Sequence, residues 1–144
     1  MAAVLDVAKY ITEKMGEVSA MKLHKLAYYC QAWHMVWRER ELFPENFEAW
    51  ANGPVVRTLY GLHRKQFLVH PDTFPTGDSG RVSPDEKAVI DKVLEFYGDK
   101  TAQWLSNLTH QETPWLEARK GVEVGASSEN VIDKGSIHEY YSSL

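Results

Sequence analysis

Histidine is the residue type in this chain that most invites a catalytic or metal-binding interpretation. The six histidines are His24, His34, His63, His70, His110 and His138. No two of them fall three or four residues apart, and the chain has no H-E-x-x-H motif or Cys/His cluster of the kind that holds zinc. A metal site would have to be assembled from distant segments, so the sequence predicts neither a metal nor another cofactor.

One imidazole and one carboxylate lie close together in the segment Thr109-His110-Gln111-Glu112. Such a pair can hold a proton in transit, which is the basis of general acid–base catalysis. However, His110 is predicted at the end of one helix, just before Pro114 opens another. There an imidazole can hydrogen-bond the last carbonyls and favour the helix dipole. The structural interpretation of His110 is favoured, and a small hydrolase that uses His110 with a carboxylate from elsewhere is the alternative.

Cys30 is the only cysteine, so it can form neither an intramolecular disulfide nor a four-thiolate zinc site. It lies inside an apolar helical stripe, where a thiol is inert. The glycine patterns that bind nucleotides are missing, and Asn52-Gly53-Pro54 cannot cradle phosphates because proline lacks an N–H donor. We therefore predict no catalytic residues.

Basic and aromatic side chains could in principle form a surface for single-stranded nucleic acid. They are Lys22, Lys25, Arg57, Arg64 and Lys65, with Tyr28 and Tyr60 near them in sequence. The formal charge of the chain is −4, whereas binding through phosphate contacts needs a basic surface. A protein partner is therefore favoured over nucleic acid.

Helical spacing of apolar residues predicts the elements that would position these side chains. At 144 residues the chain can bury one hydrophobic core, and we expect residues 1–144 to form a single, mostly α domain around a long central helix. The apolar stripe of that helix, which Ser19 would cap, is Leu23, Leu26, Ala27, Cys30, Trp33 and Trp37. A shorter helix with Val4, Val7, Ala8, Ile11 and Met15 should precede it and end at Gly16.

The positions of proline, glycine and helix-capping residues predict the boundaries of the remaining elements. We expect a short extended segment at 47–50 and a third helix through Val55, Leu59 and His63, with Pro54 at its first position. A flexible segment should span residues 70–83. Three further helices should follow, with starts at Ser83, Thr101 and Thr113. The inward-facing residues of the first of them should be Val89, Val93, Phe96 and Tyr97. A final helical turn should contain Ile137, Tyr140 and Tyr141.

Three stretches of the chain together are similar to a known family. They are Met21-Lys22-Leu23-His24-Lys25-Leu26-Ala27-Tyr28-Tyr29-Cys30-Gln31-Ala32, then Glu48-Ala49-Trp50-Ala51-Asn52-Gly53-Pro54-Val55-Val56 with Tyr60, then Leu105-Ser106-Asn107-Leu108-Thr109-His110 with Pro114-Trp115. In order and spacing they resemble the Panacea domain, the family of the Soc-type antitoxin and of phage-associated or Gep-like proteins.

The resemblance implies an antitoxin of a toxin–antitoxin system that neutralises a toxic protein by direct, stoichiometric contact rather than by catalysis. It also leaves open a role as an adaptor that delivers the toxin to a protease. A phage or host-defence regulator that binds a protein for another purpose is a further alternative. Some members of the family also carry an extra DNA-binding domain, for which we expect no room in these 144 residues.

Two sets of residues are carried over from the motif. Those that we expect to be available to a partner are Lys22, Lys25, Gln31, Trp50, Arg57 and His110. Those that we expect to maintain the scaffold are Leu23, Leu26, Gly53, Pro54 and Trp115.

The start of the chain has no basic segment followed by an apolar run, as a signal peptide would have. No later stretch approaches the ~20 apolar residues that a membrane-spanning helix needs. A cytoplasmic location is therefore expected, with no membrane contact.

Overall fold

Seven helices and two short two-stranded sheets make up the fold in the computed structural model, which describes residues 1–144. In chain order the elements are α1 (Val4–Met15), β1 (Val18–Ser19), α2 (Ala20–Arg38), β2 (Glu48–Trp50), β3 (Gly53–Val55), α3 (Arg57–His63), β4 (Leu68–Val69), α4 (Pro84–Tyr97), α5 (Ala102–Thr109), α6 (Thr113–Ala118) and α7 (Lys134–Ser142). The prediction of a mostly α fold is confirmed.

Capping residues define the boundaries of the first two helices as predicted. Gly16 follows α1 with a φ of 73°, a conformation that glycine adopts without strain. Ser19 caps α2, and its hydroxyl accepts a hydrogen bond from the Lys22 N–H at 3.2 Å. Ser19 also pairs with Leu68 in the antiparallel β1–β4 sheet, so the start of α2 is held from both sides.

The central helix α2 is the axis of one continuous hydrophobic cluster of 31 buried residues. It packs against α1, α4, α5 and α7, and the predicted stripe from Leu23 to Cys30 is fully buried. The prediction was wrong at the C-terminal end of the stripe, because Trp33 is only partly buried and Trp37 is 45% exposed. Trp33 donates its indole N–H to the Tyr97 hydroxyl at 3.0 Å, and Trp37 stands one turn further, beside a surface groove.

The segment around Pro54 is a strand, so the prediction of a helix beginning there was wrong. In the antiparallel β2–β3 hairpin Ala49 pairs with Pro54. The N–H of Ala49 donates to the Asn130 carbonyl at 2.8 Å, and the Ala49 carbonyl accepts from Arg119 at 2.8 Å. Because Ala49 therefore needs no donor from its partner, the missing N–H of Pro54 costs nothing. Helix α3 begins three residues later, at Arg57.

The segment 70–83 is anchored on α1, in contrast to the flexible segment that we predicted. It contains two single 3₁₀ turns, at Pro71–Thr73 and Ser79–Arg81, and Phe74 between them is fully buried. The Asp78 N–H donates to the Asp6 carboxylate at 2.9 Å. Gly77 lies so close to α1 that a Cβ there would be 2.5 Å from the Leu5 carbonyl oxygen.

The later helices follow their predicted starts closely. Ser83 and Glu86 form the reciprocal capping box of α4, and Thr101 caps α5. Phe96 was wrongly placed in the core. It is 60% exposed, and the Lys100 ammonium lies 5.7 Å from its ring centroid.

The C-terminal part of the chain closes the core. Helix α6 includes Thr113, one residue earlier than predicted, and α7 extends the expected final turn to nine residues. The Tyr141 hydroxyl of α7 reaches the buried Glu112 carboxylate at 2.7 Å. None of the helices is both long and apolar enough to cross a membrane.

Candidate functional site

A concave pocket of about 510 Å³ opens between the start of α2, the β2–β3 hairpin, α3 and the irregular segment 127–129. This volume lies within the range of known ligand-binding clefts. The side chains that determine its chemistry are His24, Lys25, Trp50, Arg57, Tyr60 and His63. Residues far apart in sequence therefore meet here because α2, the hairpin and α3 pack together.

Lys25 is the buried cation of the pocket. The residue is only 1% exposed, and its ammonium has no hydrogen-bond or ion-pair partner in the chain. Burial lowers the pKa of Lys25 to about 8. An ammonium that has lost most of its water without gaining a counterion is costly to the fold.

Gly53 makes room for Lys25. Its φ of 122° lies in the region that favours glycine. A Cβ at this position would lie 2.9 Å from Lys25 Cε and 3.1 Å from Thr109 Oγ1. A side chain at position 53 would therefore have to displace the end of the Lys25 side chain and also adopt a strained φ.

His24 and His63 form a direct imidazole pair beside Lys25, with their Nε2 atoms 2.6 Å apart. His24 Nδ1 accepts from the Val56 N–H at 3.2 Å, so its proton must be on Nε2 and must be donated to His63. Burial lowers the pKa of both residues, and for His24 the charge of Lys25 and the neighbouring ring add to the effect. Both rings are therefore held neutral.

Aromatic rings and one ion-pair network form the pocket wall. Trp50 and Tyr60 meet edge to face with their centroids 4.8 Å apart. Arg57 extends over Trp50 at 5.8 Å and pairs with Glu48 at 3.0 Å and Glu129 at 2.8 Å. The charge of Arg57 is therefore compensated, unlike that of Lys25.

The rim of the pocket exposes large apolar side chains. Phe67 is 80% exposed and Met21 is 42% exposed, and both line the opening. The backbone of Phe67 is fixed, because its carbonyl accepts the Ala20 N–H at 2.9 Å. An exposed apolar side chain on a fixed backbone beside a concave site is typical of an interaction surface.

Three of the residues expected to contact a partner, Lys25, Trp50 and Arg57, lie in this pocket. His110 is just behind it, stacked on Trp115 with centroids 4.2 Å apart. Its Nε2 is buried without a partner. Burial and then the charge of Lys25 lower the pKa of His110.

Lys22 and Gln31 lie elsewhere and perform structural tasks. Lys22 donates to the Gly98 carbonyl at 2.6 Å, which ties α2 to the end of α4. Gln31 is 1% exposed, and its amide donates to the Phe43 carbonyl and accepts from the Leu42 N–H, both at 2.7 Å. The Gln31 side chain is therefore not free for a partner in this structure, whereas Lys22 is partly exposed.

The residues expected to maintain the scaffold lie in the core, in strand β3 or behind the pocket wall. Leu23 and Leu26 are fully buried, and Gly53 and Pro54 build strand β3. Trp115 donates its indole N–H to the Trp50 carbonyl at 2.9 Å, so α6 supports the pocket wall from behind.

The alternative sites considered from sequence are not assembled. The Glu112 carboxylate accepts from Tyr29 at 2.6 Å and from Tyr141, and not from His110. Tyr28 of the proposed basic and aromatic surface is 1% exposed. No group of three or more potential metal ligands comes together, and burial raises the pKa of the Cys30 thiol.

Sequence reasoning missed His24, His63 and Phe67 as members of the site. The two histidines are 39 residues apart, and nothing in their spacing indicates that they touch. Phe67 offered a weak signal, because it is a large apolar residue in an otherwise polar stretch from Arg64 to Gln66.

Comparison with known proteins gives one family and one relative. The chain is 29% identical over 126 residues to the bifunctional protein GlmU of Wolbachia sp. subsp. Brugia malayi (strain TRS), a match covering 81% of this chain and 31% of that protein. No solved structure matches. The model of the family described as "Antitoxin SocA-like, Panacea domain" matches residues 23–116, which include α2 from Leu23 onward, the β2–β3 hairpin, α3 and the pocket residues from His24 to Phe67. The chain therefore belongs to the SocA-like antitoxin family with the Panacea domain.

Proposed function

We propose that this chain is the antitoxin of a toxin–antitoxin pair and that it neutralises a toxic protein in the cytoplasm by direct, stoichiometric binding. The face that carries the pocket is the proposed contact surface. The exposed Phe67 at the mouth of the concave pocket carries this assignment. A large side chain on a fixed backbone loses little entropy on binding, so it is suited to be an anchor.

The chemistry around the pocket supports binding rather than turnover. The two histidines are bonded to each other, and Arg57 is neutralised by two carboxylates. Rigid aromatic walls with an adjacent apolar rim are typical of interface cores.

Growth rescue tests the function and the surface together. Reading frames next to the gene of this chain would be expressed singly to find a product that arrests growth, and the chain would then be co-expressed with it. We expect rescue by the native chain and by Phe96→Ser, which removes another exposed phenylalanine outside the pocket. We expect Phe67→Ser to lose rescue.

Two outcomes would contradict this proposal in different ways. Failure of the native chain to rescue growth from any such product would contradict the antitoxin function. Equal rescue by Phe67→Ser and Phe96→Ser would contradict the choice of surface. Delivery to a protease would begin from the same complex, and a shortened half-life of the toxin on co-expression would identify it.

A further inference from the structure

We infer that the floor of the pocket is a carboxylate-binding site in which the Lys25 ammonium is the charged anchor. Its occupant is a carboxylate that enters from solvent, either on an acidic side chain of the partner or on a free small molecule. The inference rests on the surroundings of Lys25 and does not depend on the proposed function.

The first step concerns charge. Lys25 lines the pocket, is 1% exposed and has no anion within the chain. Arg57, another cation of the pocket wall, is already paired with Glu48 and Glu129. One buried positive charge is therefore left uncompensated, and an ammonium in such surroundings gains strongly from an incoming anion.

The second step concerns hydrogen bonds. The groups around Lys25 have their own donors engaged: the Thr109 hydroxyl donates to the Ser106 carbonyl at 2.8 Å, and His24 shares its Nε2 proton with His63. The ammonium protons of Lys25 are thus free donors at this point. A ligand that matches them must be an acceptor, as a carboxylate is.

The third step selects a carboxylate over a more highly charged group. A single uncompensated positive charge matches a monoanion. A phosphate dianion would bring a second negative charge into a pocket that already has Glu129 in its lining. The Trp50 and Tyr60 rings, which line the same pocket, favour an occupant with an apolar or aromatic body behind its carboxylate.

Benzoate and benzamide are a matched pair of probes, because they have nearly the same shape and only benzoate has a charge. Titration followed by the amide resonances of Lys25 and Gly53 would give both affinities. We expect saturable binding of benzoate that is at least about tenfold tighter than that of benzamide, and we expect benzoate to raise the Tm. Equal affinity for the two probes would overturn the inference.

Two variants make the test specific to the anchor. Lys25→Met should reduce benzoate affinity to the benzamide level, while Lys92→Met, which removes an exposed lysine on α4, should leave it unchanged. Circular dichroism would verify that both variants fold. Benzoate binding retained in a folded Lys25→Met variant would contradict the site.

Growth rescue by Lys25→Met distinguishes the two sources of the carboxylate. Loss of rescue would assign it to the partner protein. Full rescue, with benzoate binding intact in the native chain, would assign it to a free small molecule. Because the benzoate titration requires no toxin, its failure would leave the proposed antitoxin function standing.

Discussion

The buried charge of Lys25 destabilises the folded protein. Its pKa of about 8 against an ordinary value of 10.5 corresponds to roughly 3 kcal/mol at neutral pH. The sign is clear, because between those two values the unfolded chain holds the proton and the folded chain does not. Stability therefore rises with pH over that interval. A side chain that destabilises the fold in this way is typical of a functional position.

Removal of this charge should therefore stabilise the protein. We expect Lys25→Met to raise the free energy of unfolding at pH 7 by about 1 to 3 kcal/mol, because methionine fills the same space without a desolvated ammonium. Urea denaturation would measure the change, with Lys92→Met as the control. A loss of stability in Lys25→Met would mean that the ammonium is compensated within the fold.

The His24–His63 pair makes the protein sensitive to acid. The pKa of both residues lies below the ordinary value of 6.5, so on acidification the unfolded chain takes up protons before the folded chain does. Stability is therefore fully present above pH 6.5 and is lost as the pH falls through the lowered values. A proton added to either ring would also put two donors face to face at 2.6 Å.

We expect the Tm to fall between about pH 7.5 and about pH 5.5. His63→Gln, which retains an acceptor for His24, should make this fall shallower. The fall of Tm that remains in His63→Gln is due to His34 and His110, because burial also lowers the pKa of these two residues. His138→Gln, at an exposed position, is the matched control. An unchanged pH dependence in His63→Gln would contradict the neutral-pair assignment.

At the scale of elements, the helices could be predicted from sequence where local capping determines them. Ser19, Ser83 and Thr101 each accept a backbone hydrogen bond at a helix start, and such bonds depend only on neighbouring residues. The β2–β3 hairpin could not be predicted this way. Pro54 matches a helix start locally, but Asn130 and Arg119 satisfy the opposite strand from far along the chain.

The candidate site was predictable only in part for the same reason. Lys25 and Trp50 lie in motif stretches and Arg57 directly follows one, and all three were identified from sequence, whereas His63 and Phe67 join the site only through the packing of α3 and β4. Gln31 shows the opposite error. A polar side chain on a helix was expected to face a partner, but it satisfies the buried backbone of residues 42–43.

Gly53 is the position of the hairpin where a single methyl group should have the largest effect. We expect Gly53→Ala to lower the free energy of unfolding by about 2 kcal/mol or more, since it combines a strained φ with a clash against Lys25. Gly61→Ala is the control, because it lies inside α3 with open space around it and should be neutral or slightly stabilising. Thermal melting of both variants would measure the difference, and equal melting temperatures would contradict the close approach.

At the scale of the whole molecule, α2 serves both the core and the pocket. Leu23 and Leu26 pack inward at the centre of the hydrophobic cluster, and His24 and Lys25 reach the pocket from the same turns. The site is thus built on the most deeply buried helix of the fold, which fixes its geometry before a partner arrives. A preorganised surface binds without a large cost of ordering.

The central claim is that this pocket-bearing face neutralises a toxic protein by binding it molecule for molecule. The most direct measurement is a titration of the purified chain against a fixed amount of the toxin, with residual toxicity as the readout. We expect the inhibition curve of the native chain to break near an equimolar ratio. We expect Phe67→Ser, with an unchanged Tm, to have a Kd for the toxin at least about 30-fold higher, as for an anchor worth about 2 kcal/mol, so that its curve rises gradually and requires an excess of the chain. Full protection at about a hundredth of the toxin concentration would mean turnover and would contradict the account.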